Sequence, residues 1–155
     1  MSRAERAKEY FLQGFACSQA VALAFSDVMG MDEETILKIM LPFGGGLGRL
    51  RLTCGAVSGM AAVVGMVCAK GENTPENKKE TYAITQELCK KFQAETGSLI
   101  CAELLSNMKL PVEVGGEAEA RSPEYYRKRS CGDMVALAAQ ILEEYLRQEN
   151  RIESQ

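Results

Sequence analysis

Apolar residues recur at three- and four-residue spacing along most of this chain, and apolar–polar alternation never persists long enough to suggest a pair of strands. The pattern predicts an all-α fold, a compact single-domain helical bundle over residues 1–155. A first helix is expected from about Arg3 to Gln13, ended or bent at Gly14. A second runs from near Ser18 to Met29, with Val21, Ala22, Ala24, Phe25 and Val28 at helical spacing, and closes at Gly30. Asp32 is placed to cap a short helix that reaches Met40 and stops before Pro42. A long helix from about Thr53 to Ala69 carries Gly55, Gly59 and Gly65. Glycine inside a helix costs about 1 kcal/mol against alanine, so three of them predict a central Gly/Ala-rich helix with close neighbours. Thr74 and Pro75 cap and open the next helix, which runs to about Glu95 and ends at Gly97. Ser98 begins a short helix, Pro111 to Pro123 reads as a surface loop, and the last helix spans about Ser130 to Arg147. Its apolar face is Met134, Val135, Leu137, Ala138, Ile141, Leu142 and Tyr145.

Set on this frame, four of the six cysteines fall where helices begin: Cys17, Cys54, Cys101 and Cys131. Unpaired N–H groups and a partial positive charge at a helix N-terminus favour thiolate over thiol. Cys54 and Cys131 are each preceded by a capping residue, Thr53 or Ser130, and followed by a glycine that leaves the sulfur sterically open. Arg49 and Arg51 lie upstream of Cys54, and Arg127, Lys128 and Arg129 upstream of Cys131, which should lower both thiol pKa values further. Asp133 opposes this. Cys54 is therefore the expected nucleophile, with a depressed pKa. Cys68 and Cys89 sit inside helices without a local partner and read as small buried hydrophobes.

Composition removes several other chemistries. Histidine and tryptophan are absent, which excludes Cys/His nucleophilic pairs and mixed Cys/His zinc sites. A net charge of −3 gives no long-range attraction to nucleic acid or to an acidic membrane surface. The charged N-terminal segment has no apolar core of a signal peptide, and the stretch from Ala56 to Ala69 is too short and too rich in small residues to span a bilayer. The expected compartment is the cytoplasm, where cysteines are more often catalytic, metal-binding or buried than bridged. No C-x-x-C occurs, so a zinc knuckle, a ferredoxin run and a thioredoxin motif are all excluded. If the four sulfurs act together, the fold must gather them from four helix ends.

The run from Gly44 to Arg49 lacks the preceding strand and the Gly-Lys-Ser/Thr of a phosphate loop. Its glycines are expected to turn the chain tightly beside Cys54. Gly45, Gly46, Arg49 and Arg51 remain candidates for an anion-binding nest, or for donors to a thiolate or a cluster sulfide. Glu103 and Asp133 lie two residues beyond a candidate cysteine and so face away from it. Tyr125 and Tyr126 fit either a lid or a loop anchor.

Cys17, the run Cys54-Gly55-Ala56-Val57-Ser58-Gly59, Cys101 and Cys131 resemble the pattern of the C_GCAxxG_C_C family of redox-active proteins, over about Glu5 to Tyr145. The resemblance implies a bacterial or archaeal origin, a small helical domain, and a redox or iron–sulfur role; Cys68 and Cys89 lie outside the pattern. Three functions compete. The four cysteines could run reversible thiol–disulfide chemistry as a thiol oxidoreductase with an unidentified redox partner. The same four could be metal ligands, holding an iron–sulfur cluster or zinc. Or the chain is a structural or partner-binding helical domain with inert buried thiols, a homo-oligomer being allowed.

Overall fold

The computed structural model describes residues 1–153 and is all-α. Among the described residues the one β pairing outside helices is an isolated antiparallel bridge between Thr53 and Ile100. In chain order the elements are α1 (Arg3–Leu12), α2 (Cys17–Leu23), α3 (Ser26–Met29), α4 (Glu33–Met40), a 3₁₀ turn (Leu41–Phe43), a single helical turn α5 (Gly44–Leu47), α6 (Gly55–Cys68), α7 (Pro75–Thr96), α8 (Cys101–Asn107), α9 (Pro123–Lys128) and α10 (Cys131–Gln148).

Local sequence accounts for most of these boundaries. Ser2 and Glu5 form a capping box at α1, Asp32 accepts from the Thr35 amide at 3.1 Å, and Thr74 accepts from the Asn77 amide at 3.2 Å. Gly30 and Gly97 end their helices in the left-handed region, at φ 64° and 89°. Two features depart from the periodicity. The helix expected from Ser18 to Met29 breaks at Phe25 (φ −122°), and the Arg3 guanidinium takes up the Ala24 carbonyl at 2.8 Å while lying 4.9 Å over the Phe25 ring. Residues 123–128 form α9, a helix not expected from the periodicity, which starts where the expected loop ends, with Pro123 at its first position and Ser122 accepting from the Tyr125 amide at 3.1 Å.

The core is built around α2. Every residue from Ser18 to Leu23 is buried, between α1, α6, α10 and α4. Its polar members are satisfied: Ser18 donates to the Met40 carbonyl at 2.7 Å, and Gln19 donates to the Leu37 carbonyl at 2.9 Å while accepting from the Ala16 amide at 2.9 Å. Leaving one such buried group unmatched would cost about 1–3 kcal/mol. The Gly/Ala-rich α6 lies against α2, α7 and α10. A Cβ at Gly59 would stand 2.8 Å from the Ser18 carbonyl oxygen and 3.0 Å from Val21 Cβ, so glycine here sets the distance between α6 and α2. Gly65 has open space around it and does not share that role. Phe11, Phe25, Phe92, Leu88, Leu142 and Leu146 fill the interior. This packing brings the starts of α2, α6, α8 and α10 to one cavity.

Candidate functional site

Each candidate cysteine opens a helix. Cys17, Cys101 and Cys131 are the first residues of α2, α8 and α10, and Cys54 is the residue before α6. The capping expected of Thr53 and Ser130 does not occur: Cys54 itself takes the cap position of α6, and Ser130 precedes α10 without a side-chain capping bond.

The segment before Cys54 is unusual. Gly45, Gly46, Leu47, Gly48, Arg49 and Arg51 all have φ between 56° and 73°. For the three non-glycine residues this region costs about 1–2 kcal/mol each. At Gly46 a side chain is also barred by space, since a Cβ would lie 2.6 Å from the Leu52 nitrogen and 2.7 Å from Cys101 Cβ. The coil turns its own amides inward. Gly48 donates to Pro42 at 2.8 Å, Arg51 to Gly45 at 3.2 Å and Leu52 to Gly46 at 2.8 Å, with Arg49 and Leu50 bonded likewise to Gly44 and Leu47. The amides of Gly48 to Leu52 are therefore taken up within the coil, and the arginine side chains stay available.

Residues 51–54 then run alongside 99–102. The Cys54 amide donates to the Leu99 carbonyl at 2.8 Å, the Cys101 amide to Leu52 at 2.6 Å and the Ala102 amide to Arg51 at 3.1 Å. This exchange fixes Cys54 and Cys101 relative to each other. Cys17 arrives from the other side, with its sulfur where a side chain on residue 55 would be: a Cβ at Gly55 would fall inside Cys17 Sγ. The glycine after Cys54 thus does not open that sulfur to solvent. It admits the second sulfur.

All four cysteines line one cavity of about 340 Å³. Cys54 is buried, 7% exposed, and the other three are half-buried. Arg49, Arg51, Arg121 and Arg129 share the wall. Arg51 Nη1 lies 3.7 Å from Cys101 Sγ, donating to it. Arg121 stacks over Phe11 and Tyr125, its guanidinium carbon 4.4 and 4.9 Å from the ring centroids, and donates to the Phe11 and Phe15 carbonyls. Tyr126 donates its hydroxyl to the Phe11 carbonyl at 3.2 Å and is an anchor, whereas Tyr125 lines the cavity. Glu103 pairs with Ser98, and Asp133 with Lys8 at 2.8 Å. Arg121 had no local signal in the sequence: it belongs to the loop before α9 and is held at the site by the Phe11 and Phe15 carbonyls.

Burial dominates the electrostatics. It pushes the Cys54 thiol well above its ordinary value, the neighbouring Cys17 adding to the rise and the Val57 and Ala56 amides opposing it. It raises Cys131 from 9.0 to about 12, with Cys17 again adding and Arg129 opposing. Cys101 also rises through burial, against the pull of Arg51. The amide effect expected of a helix start acts on Cys54 and the arginine effect on Cys131, but desolvation exceeds both. The expected depressed pKa of Cys54 is therefore corrected: the resting thiol is held protonated.

Four thiols are a suitable donor type for zinc or an iron–sulfur cluster. Among the described residues, however, no three of His, Cys, Asp or Glu stand close enough together to hold a metal ion. The sulfurs as placed share a cavity rather than a coordination sphere.

The model of the family described as "Putative redox-active protein (C_GCAxxG_C_C)" matches residues 15–145. The chain belongs to this family. The four cysteines read onto the C_GCAxxG_C_C pattern are those that line the cavity, while Cys68 at the end of α6 and Cys89 in α7 lie outside it. No curated protein and no solved structure matches the chain. Among the described residues no helix is long and apolar enough to cross a membrane.

Proposed function

We propose that the four-cysteine cavity is a thiol–disulfide redox centre in which Cys17 and Cys54 form the reversible bond. The observation that carries this reading is the Cys17 sulfur seated against Gly55, the residue next to Cys54. Cys17, half-buried, is the sulfur a substrate reaches first; Cys54, buried, resolves the intermediate. Cys17 as thiolate attacks one sulfur of a substrate disulfide and expels the other half as a thiolate, leaving a mixed disulfide. Cys54 then attacks Cys17, its proton leaving with the second thiol. Two electrons pass from the cysteine pair to the substrate, and both substrate sulfurs end as thiols. The expected nucleophile thereby changes from Cys54 to Cys17. The protonated resting state of Cys54 suits a thiol that acts second.

Cys101 and Cys131 line the same cavity as Cys17 and Cys54. That observation favours, as a second reading, four thiolates ligating an iron–sulfur cluster or zinc after the sulfurs draw together. Purification without oxygen, followed by a visible spectrum, metal analysis and a free-thiol count before and after mild oxidation, separates the two. The disulfide reading expects a colourless protein that loses two thiols reversibly. Absorbance near 400 nm with bound iron, or stoichiometric zinc, would overturn it in favour of the second; inert thiols would overturn both.

A further inference from the structure

Arg51 is buried to 7% exposure, yet no carboxylate pairs with it among the described residues. Its Nε donates to the Glu113 carbonyl at 2.9 Å and its Nη1 to Cys101 Sγ at 3.7 Å; no acceptor among the described residues meets Nη2. A buried guanidinium without a counter-ion is expensive, so such groups are usually paired. The backbone of Arg51 is meanwhile held at φ 62°, a conformation that adds strain. The surroundings do not neutralise it. Arg121 has only carbonyl acceptors, Arg49 holds Glu113 at 3.7 Å with its Nε buried and unpartnered, and Arg129 alone has a close partner, Glu119 at 2.7 Å. A chain of net charge −3 thus places four cations and one carboxylate, Glu119, around one cavity. That cavity, at about 340 Å³, lies within the range of small-molecule sites.

From these contacts we infer that the cavity binds a small anionic disulfide or thiol, its carboxylate against Arg51 and its sulfur against Cys17. The guanidinium supplies a planar donor edge matched to a carboxylate, and the anion completes the pairing that the protein leaves open. Binding energy from the charged end would position the reacting sulfur without taking part in the exchange. The sulfur half rests on the thiol-redox reading above; the anion half rests on Arg51 and the cavity.

The test compares three small disulfides of differing charge on the reduced protein: dithiodiglycolate (anionic), 2-hydroxyethyl disulfide (neutral) and cystamine (cationic). Oxidation rates are divided by those of a free model thiol, which removes intrinsic reactivity and leaves recognition. The expected result is a corrected rate at least tenfold higher for dithiodiglycolate than for cystamine, with the neutral compound between them. The preference should shrink at high salt, vanish in Arg51→Gln and be partly rescued in Arg51→Lys. Equal corrected rates for all three in the wild-type protein would overturn the anion site while leaving the thiol chemistry standing, and this arm needs no variant to fold. A redox-inert thioether, thiodiglycolate, tests the anion half alone through saturable protection against thermal unfolding, expected in wild type and lost in Arg51→Gln. Protection without oxidation by any disulfide would sink the thiol-redox reading and the sulfur half while keeping the anion site; no protection would sink the anion half.

Discussion

At single residues, the site depends on which atoms occupy the space that small side chains leave free. Gly55 is the clearest case. A methyl group there would collide with Cys17 Sγ and stand 3.0 Å from the Phe43 carbonyl oxygen. Gly55→Ala is expected to destabilise the fold by about 1–3 kcal/mol, the usual range for overpacking, and to abolish the Cys17–Cys54 bond; denaturant unfolding and thiol counts after oxidation check the two effects. Proton linkage supplies another prediction. Cys131 has its folded-state pKa raised to about 12 from an ordinary 9.0. Between those values the folded protein keeps a proton that the unfolded chain has lost, so stability is full below pH 9 and falls as pH rises toward 12. The slope is about 1.4 kcal/mol per pH unit for each such thiol, and Cys54 and Cys101, raised in the same direction, add to it. Urea midpoints between pH 8.5 and 10.5, as conditions for that measurement, should fall less steeply in Cys131→Ala than in the parent. The sequence made the four thiols visible because each stands at a helix start. Their pKa direction was not legible there: the helix terminus and nearby arginines are local features, whereas the burial that outweighs them comes from residues far along the chain.

Among the elements, periodicity and caps revealed most helices, and the exceptions have physical causes. The break at Phe25 depends on Arg3, from another helix, accepting the role of donor to the Ala24 carbonyl. The short α9 was hidden because its cap and proline, Ser122 and Pro123, end a stretch otherwise poor in apolar spacing. Helical glycines proved to be of different kinds. Gly59 lies against the α2 backbone, and Gly59→Ala is expected to push α6 away from α2 and lower stability by about 1–3 kcal/mol. Gly65 meets nothing within 4 Å, so Gly65→Ala should instead raise stability by about 0.5–1 kcal/mol through helix propensity alone. Thermal or urea unfolding of the two variants side by side would show opposite signs. Equal signs would mean that α6 does not approach α2 as described.

Across the whole molecule, the bundle's contribution is convergence. Helix starts that are far apart in sequence meet at one cavity because α2 is enclosed by α1, α6 and α10, and because residues 51–54 are bonded to 99–102. Membership of the C_GCAxxG_C_C family fits the same four cysteines, and Cys68 and Cys89 stay apart from them. Three of the four cavity arginines were legible: Arg49, Arg51 and Arg129 stand near cysteines in sequence, but Arg121 reaches the site through tertiary packing. The measurement that bears most directly on the central claim is peptide mapping of the protein after stepwise oxidation, with unreacted thiols blocked at each step. A first linkage between the peptides carrying Cys17 and Cys54, reversible on reduction and absent in Cys17→Ser, is the predicted result. A first linkage through Cys68 or Cys89, or no linkage at all while every thiol is recovered free, would contradict it.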